Sequence, residues 1–107
     1  MNHIPAPQLS LSTEAIAAFC QRWDVAEFAL FGSVLRDDFG PDSDVDVLLT
    51  FHQGSRLTLS RWMAIEEELE ALFGRKVDVL TRKSIEDSPN YLRRKSILQS
   101  ARVIYAQ

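Results

Sequence analysis

Two aspartates set into an apolar run constrain the fold of this chain more than any other feature. Asp44 directly precedes residues 45–49 and Asp46 lies within them, and the other residues of this run have the composition of a buried strand. Residues two apart in a strand point to the same face, so both carboxylates can be directed at one point. Charged groups are costly to bury alone, and a pair of oxygen ligands suits a hard cation such as Mg²⁺. We therefore expect this strand to carry a metal site.

A glycine-serine pair precedes the two acids. Gly32 and Ser33 follow an apolar run that ends at Phe31, and ten residues separate Ser33 from Asp44. Backbone N–H groups at a glycine, together with the serine hydroxyl, can bind a phosphate because no Cβ blocks its approach. A phosphate cradle facing metal-binding carboxylates is what phosphoryl or nucleotidyl transfer requires.

A third acid lies in a later apolar run. Asp78 stands between Val77 and Val79 in a segment with the composition of a strand. It can be a surface residue of an alternating strand, since the two valines share the opposite face. The repeated pattern of an acid within a strand favours the alternative, in which Asp78 is a third metal ligand.

Hydrophobic periodicity predicts a single α/β domain. Residues 1–11, which contain two prolines, form a short arm, and residues 12–107 form the domain. The predicted order is helix, strand, strand, helix, strand, helix, strand, which implies a small mixed β-sheet with helices packed on it. Residues 82–87 are predicted to form a loop, and Ser88-Pro89 is predicted to start the last helix.

Composition narrows the class of protein. Hydrophobic residues make up 46% and charged residues 25% of the chain, as in ordinary globular domains. Neither a membrane-spanning run nor the pattern of a signal peptide is found, so a cytoplasmic protein is expected. The single cysteine, Cys20, fits a reducing compartment, and its place on an apolar helix face predicts core packing rather than nucleophilic chemistry.

The net charge of −3 is unevenly distributed along the chain. Residues 1–74 carry 4 basic and 12 acidic side chains, whereas residues 75–107 carry 8 basic and 3 acidic ones. The whole chain therefore lacks the unopposed cations that sustained binding of nucleic acid requires. The basic residues Arg93, Arg94 and Lys95 form either a solvated helix face or a surface for an anionic ligand or an acidic partner. The acidic run over residues 66–70 is expected to be a solvated face.

The joined pattern resembles a known family. Residues 31–48 read Phe-Gly-Ser-x-x-Arg-x-Asp-x-x-Pro-Asp-Ser-Asp-x-Asp-x-Leu, with Asp38 as the acid that follows the arginine. This string resembles the minimal nucleotidyltransferases of the DNA polymerase beta-like nucleotidyltransferase superfamily. Asp78 falls where that family has its third metal-binding carboxylate, and the resemblance continues to Tyr105. One departure is Asp37, where many members carry glycine.

The resemblance implies an enzyme that uses ATP and two Mg²⁺ ions. By analogy Asp44 and Asp46 hold the metals, and Asp78 completes the site beside the attacking hydroxyl. Gly32 and Ser33 would then position the β- and γ-phosphates. Arg36 would neutralise these phosphates, or alternatively form a surface ion pair with Asp38 or Asp42.

The resemblance also implies a partner. Many minimal nucleotidyltransferases resemble antitoxins that move AMP onto a tyrosine hydroxyl of an HEPN-domain RNase toxin and so neutralise it. Two alternatives stay open: transfer to a small molecule such as an aminoglycoside, and an antitoxin that acts by binding alone. The first normally requires additional acceptor-binding structure, and the second would be favoured by the loss of a carboxylate.

Overall fold

The computed structural model describes residues 13–32 and 43–107. Within these residues the chain forms four helices and four strands. In chain order they are α1 Thr13–Trp23, β1 Val25–Phe31, β2 Val45–Phe51, α2 Leu59–Phe73, β3 Val77–Thr81, α3 Arg82–Glu86, α4 Tyr91–Ser100 and β4 Arg102–Ala106. The predicted arm, residues 1–11, lies outside the described residues.

The four strands form one mixed sheet in the order β3-β2-β1-β4. Strand β1 is antiparallel to both β2 and β4, whereas β2 and β3 are parallel. Parallel neighbours need a crossover, and α2 provides it. This architecture confirms the predicted small mixed α/β sheet with packed helices.

The larger core lies on the face of the sheet covered by α1 and α2. It contains side chains from both helices and from the first three strands: Ile16, Phe19, Cys20, Val25, Phe28, Leu30, Val45, Val47, Leu49, Ile65, Leu69, Val77 and Val79. Val25 and Phe28 are three residues apart and would point to opposite faces of a regular strand. The shift in pairing register between Val25 and Glu27 brings both onto this face.

The opposite face of the sheet packs on α3 and α4 through a smaller core. Its buried residues are Ala29, Phe31, Leu48, Ile85 and Ile97. Because both faces are covered, β1 is buried almost continuously from Phe28 to Phe31. The two helices on this face also determine which end of the sheet remains open.

Two local predictions for this second face were wrong. Residues 82–87 were predicted to form a loop, but α3 occupies most of them, and its first turn is capped by Thr81, whose hydroxyl accepts a hydrogen bond from Ser84 N at 3.1 Å. Helix α4 begins after Asn90 rather than at Ser88-Pro89. The side chain of Asn90 accepts the bond from Arg93 N at 3.1 Å, which makes it the N-cap.

The apolar periodicity of residues 58–73, followed by Gly74, predicts a helix over this range, and α2 has these boundaries to within one residue. Thr58 caps its start, and Gly74 ends it in the left-handed conformation that favours glycine. The acidic run on α2 is only partly a solvated face, because Glu68 pairs with Arg22 and accepts a hydrogen bond from Trp23 Nε1 at 3.0 Å. Helices α1 and α2 are thereby tied together at the edge of the larger core.

Cys20 is completely buried in the larger core, as predicted. Burial raises the pKa of its thiol to about 12. Among the described residues no helix is long and apolar enough to cross a membrane.

Candidate active site

Gly32 directly follows the last residue of β1. Its φ of +75° lies in the left-handed region, which suits a residue without a Cβ. Phe31, the preceding residue, pairs with Asp46 across the antiparallel strands. A Cβ placed on Gly32 would clash with Asp46 Oδ2 and lie 3.1 Å from Asp46 Cγ. The glycine therefore makes room for the Asp46 carboxylate.

The parallel pairing of β2 with β3 places two of the predicted acids side by side. Asp46 is the register partner of Asp78. Asp46 is half-buried and Asp78 is exposed, while Val77 and Val79 are buried on the other face. Asp78 is thus an exposed residue of an alternating strand that also lies next to Asp46, and its role as a metal ligand stays a prediction.

Asp44 lies just before β2 and is exposed. The backbone around it is held in place, since Val45 N donates to Lys76 O at 3.0 Å and Arg75 donates to Ser43 O at 3.2 Å. Neither Asp44 nor Asp46 is fully buried, and the same is true of every other charged or polar residue in the described part of the chain. Their position at one end of the sheet keeps them open to solvent.

A cleft of about 660 Å³ opens at this end of the sheet. One wall consists of Phe31, Gly32, Asp46 and Asp78 from the first three strands. The other wall is formed by α4 and β4, which contribute Arg93, Ser96, Ile97, Ser100 and Arg102. Its volume lies within the roughly 300–1,000 Å³ typical of small-molecule and cofactor sites.

The three residues of the predicted basic face, Arg93, Arg94 and Lys95, have different surroundings in the structure. Arg93 lines the cleft, whereas Arg94 donates to Ser88 O at 2.6 Å and its guanidinium lies 5.4 Å from the centre of the Tyr91 ring. Lys95 also lies over Tyr91, at 6.0 Å. Of the three predicted basic residues, one faces the candidate site.

Sequence reasoning missed three residues of the cleft: Ser96, Ser100 and Arg102. A signal was present, since Arg93, Ser96, Ile97 and Ser100 recur at the three- and four-residue spacing that puts them on one helix face. Nothing comparable marks Arg102, which enters the cleft because β4 pairs with β1.

Two predicted phosphate-binding residues, Ser33 and Arg36, lie outside the described residues, as does Asp37. Their roles stay predictions. Gly32, the third member of that group, lines the cleft directly beside Asp46.

The carboxylates have the chemistry that Mg²⁺ prefers. Within residues 13–32 and 43–107, no three acidic, histidine or cysteine side chains come close enough together to hold a metal ion. Asp46 and Asp78 share the cleft, and Mg²⁺ is usually bound by one or two carboxylates, with waters and substrate phosphates completing its octahedron. Two carboxylates beside a nucleotide-sized space therefore fit this ion.

A known protein family matches nearly the whole described chain. A family model described as a nucleotidyltransferase domain matches residues 13–105. The protein adenylyltransferase MntA of Thermococcus cleftensis is 38% identical over 66 residues, which are 62% of this chain. The match spans 65% of that relative, just under two thirds of its length.

Solved structures share the fold. A candidate minimal nucleotidyltransferase is 31% identical with a TM-score of 0.64, and the match covers 84% of this chain and 86% of that one. A toxin-antitoxin structure with AMP-PNP has a TM-score of 0.67 at 14% identity, over 91% of this chain and 75% of that one. The resemblance to minimal nucleotidyltransferases is confirmed, and the chain belongs to the nucleotidyltransferase domain family.

Proposed function

We propose that this protein is an adenylyltransferase antitoxin. It transfers AMP from ATP to a tyrosine hydroxyl of a partner HEPN-domain RNase toxin and thereby neutralises it. The observation that carries the proposal is the register pair of Asp46 and Asp78, which lies beside Gly32 in a cleft large enough for a nucleotide. The name of the Thermococcus cleftensis relative supports a protein as the acceptor.

The reaction needs one bond to form and one to break. The hydroxyl oxygen attacks the α-phosphorus in line, the bond to the bridging oxygen of the β-phosphate breaks, and pyrophosphate leaves. The proton of the hydroxyl passes to solvent. Catalysis of such a step is mainly positioning and electrostatic stabilisation, so the chain must hold the triphosphate and the hydroxyl in one geometry.

The proposal assigns a task to each candidate residue. Asp46 and Asp78 would hold Mg²⁺ in the cleft, and Asp44, which lies just before β2 and outside the cleft lining, is proposed as the further ligand in a site for two ions. The ions would supply neutralisation of phosphate charge and lower the pKa of the attacking hydroxyl. Asp78 orients that hydroxyl, and Gly32 leaves space for the Asp46 carboxylate. Ser33 and Arg36 bind the β- and γ-phosphates.

The test is the intact mass of the co-expressed product of the neighbouring gene, as the candidate HEPN-domain partner, after incubation with this protein, ATP and Mg²⁺. We expect a gain of one or more AMP units. Asp46→Asn keeps the shape of the side chain but loses the charge, and it should lower the rate on the order of a thousandfold, because metal assistance contributes several kcal/mol. Glu67→Gln is the matched control, since it removes one carboxylate from the exposed face of α2.

The alternatives give different results. If Asp44→Asn, Asp46→Asn still neutralises the toxin without any gain in mass, the protein acts by binding alone. If wild-type protein neither modifies nor binds the HEPN protein, the acceptor is to be sought among small molecules. Transfer that persists at the wild-type rate in Asp46→Asn would contradict the metal-site assignment.

A further inference from the structure

The two walls of the cleft carry opposite charges. Asp46 and Asp78 face it from the sheet, and Arg93 and Arg102 face it from α4 and β4. The two arginines are nine positions apart and belong to consecutive elements, and the packing of α4 on the sheet together with the pairing of β4 with β1 brings both to the cleft. The family pattern around residues 31–48 does not include either of them.

Among the described residues, no acidic side chain forms an ion pair with either arginine. In the part of the chain that the structure describes, the side chains of Arg93 and Arg102 form no ion pair or hydrogen bond. Several other arginines have such contacts: Arg22 pairs with Glu68, and Arg82 pairs with Glu86 at 3.7 Å. Two unpaired cations lining one cleft repel each other, and an anion between them would remove that repulsion.

The position of Arg93 is fixed by helix packing. Ile97, one turn further along α4, is buried in the smaller core and holds this face of the helix toward the sheet. Ser96 presents its hydroxyl on the same side, whereas Ser100 Oγ donates to the backbone oxygen of Ser96 at 2.7 Å. The cationic wall therefore offers two guanidinium groups and the Ser96 hydroxyl as hydrogen-bond donors.

We propose that Arg93 and Arg102 bind the triphosphate of the nucleotide. This inference rests on the proposed function and adds the residues that hold the leaving group. Guanidinium groups stay charged at all working pH values and match phosphate oxygens with paired N–H donors. Placed opposite the carboxylates, they stabilise the charge that the departing pyrophosphate gains when its bond to the α-phosphorus breaks.

The experiment is calorimetric titration of ATP, ADP and AMP into wild-type protein and into Arg93→Gln, Arg102→Gln and the double variant, all with Mg²⁺. Because charged hydrogen bonds to phosphate are lost, each single variant should raise the Kd for ATP about tenfold, and the double variant about a hundredfold. The Kd for AMP should change by less than about twofold, since the β- and γ-phosphates carry the contact. Far-UV circular dichroism verifies the fold of each variant.

Lys95→Gln is the matched control. It removes one positive charge from the same helix, but at a residue that lies over Tyr91 rather than in the cleft. We expect its Kd for ATP to stay within about twofold of wild type, because the substitution removes no donor from the lining of the cleft. An equal loss in Lys95→Gln would show a general field effect and overturn the inference.

The possible outcomes separate this inference from the proposed function. If the arginine variants bind ATP as wild type does but lose transfer to the protein acceptor, the arginines contact the acceptor and the inference is overturned. If wild-type protein binds no nucleotide, both proposals fail. If the variants lose ATP affinity while wild-type protein modifies no HEPN protein, the triphosphate site stands and the proposed acceptor is wrong.

Discussion

Gly32 connects backbone conformation to the position of a functional side chain. Two independent features require glycine at this position: its φ lies in the left-handed region, and the Asp46 carboxylate occupies the space that a Cβ would need. Gly74 meets only the first requirement, because it has a φ of +67° and nothing within 4 Å of an added Cβ. Comparing alanine variants at Gly32 and Gly74 therefore separates the effect of backbone strain, which both share, from the effect of displacing the carboxylate, which occurs only at Gly32.

We predict that Gly32→Ala and Gly74→Ala lower the free energy of unfolding by similar amounts, about 1–2 kcal/mol, because both force alanine into the left-handed region. Only Gly32→Ala should also abolish AMP transfer, since its Cβ displaces Asp46. Urea unfolding and the intact-mass assay measure the two effects. Wild-type transfer by a folded Gly32→Ala variant would show that the carboxylate can move without loss of function.

At the scale of elements, helix α4 determines which side chains line one wall of the cleft. Ile97 is 7% exposed and packs into the smaller core, whereas Leu92 is 76% exposed. The helix is therefore held by Ile97 and not by its first apolar residues. Any change that rotates α4 also moves Arg93.

We predict that Ile97→Ala lowers the free energy of unfolding by about 2–4 kcal/mol, since it leaves a cavity under α4. Leu92→Ala should change it by less than about 0.5 kcal/mol, because that side chain is on the surface. Urea unfolding followed by circular dichroism compares the two. Equal losses would mean that α4 packs through a different face.

How much of the elements the sequence reveals depends on their length and regularity. Helix α2 was predicted with its boundaries, because it has four turns of periodic apolar residues, a threonine N-cap and a terminal glycine. Helix α3 was missed, since five residues are too few to show a period, although its Thr81 cap follows the usual chemistry. The start of α4 was misplaced because Ser88-Pro89 and Asn90 are both plausible caps.

The candidate site likewise contains residues that the sequence identifies and others that only the fold brings to the cleft. The spacing of Asp44 and Asp46 identified the acids from sequence, but it does not reveal that Asp44 is exposed and Asp46 half-buried, because this depends on their place at the end of the sheet. The pairing of Asp46 with Asp78 is a matter of strand register, which the crossover through α2 sets. Arg102 could not be predicted, because only the pairing of β4 with β1 brings it to the cleft.

At the scale of the whole molecule, the buried thiol of Cys20 links stability to pH. Burial disfavours the thiolate and raises the pKa from 9.0 to about 12. Above pH 9 the unfolded chain releases this proton while the folded chain retains it. The contribution of the thiol is therefore fully present below pH 9 and is lost between pH 9 and about 12.

We predict that the free energy of unfolding of wild-type protein decreases with pH above 9 more steeply than that of Cys20→Ala. The difference should be about 1.4 kcal/mol per pH unit, since the unfolded state binds one proton fewer. Urea unfolding from pH 7 to 11 in a reducing buffer measures it, and other titrating groups cancel between the two proteins. Parallel curves would show that the thiol ionises equally in both states.

The pairing of β4 with β1 has a consequence for the order in which the molecule gains function. The carboxylates precede Arg102 in the chain, and Arg102 stands in the strand that pairs with β1, some 70 positions earlier. Such long-range pairing forms slowly, because the chain entropy of a large loop must be lost first. A nascent or partly folded chain thus carries its acidic wall before its cationic wall. If Arg93 and Arg102 bind the triphosphate as proposed, nucleotide affinity then requires that β4 has paired with β1.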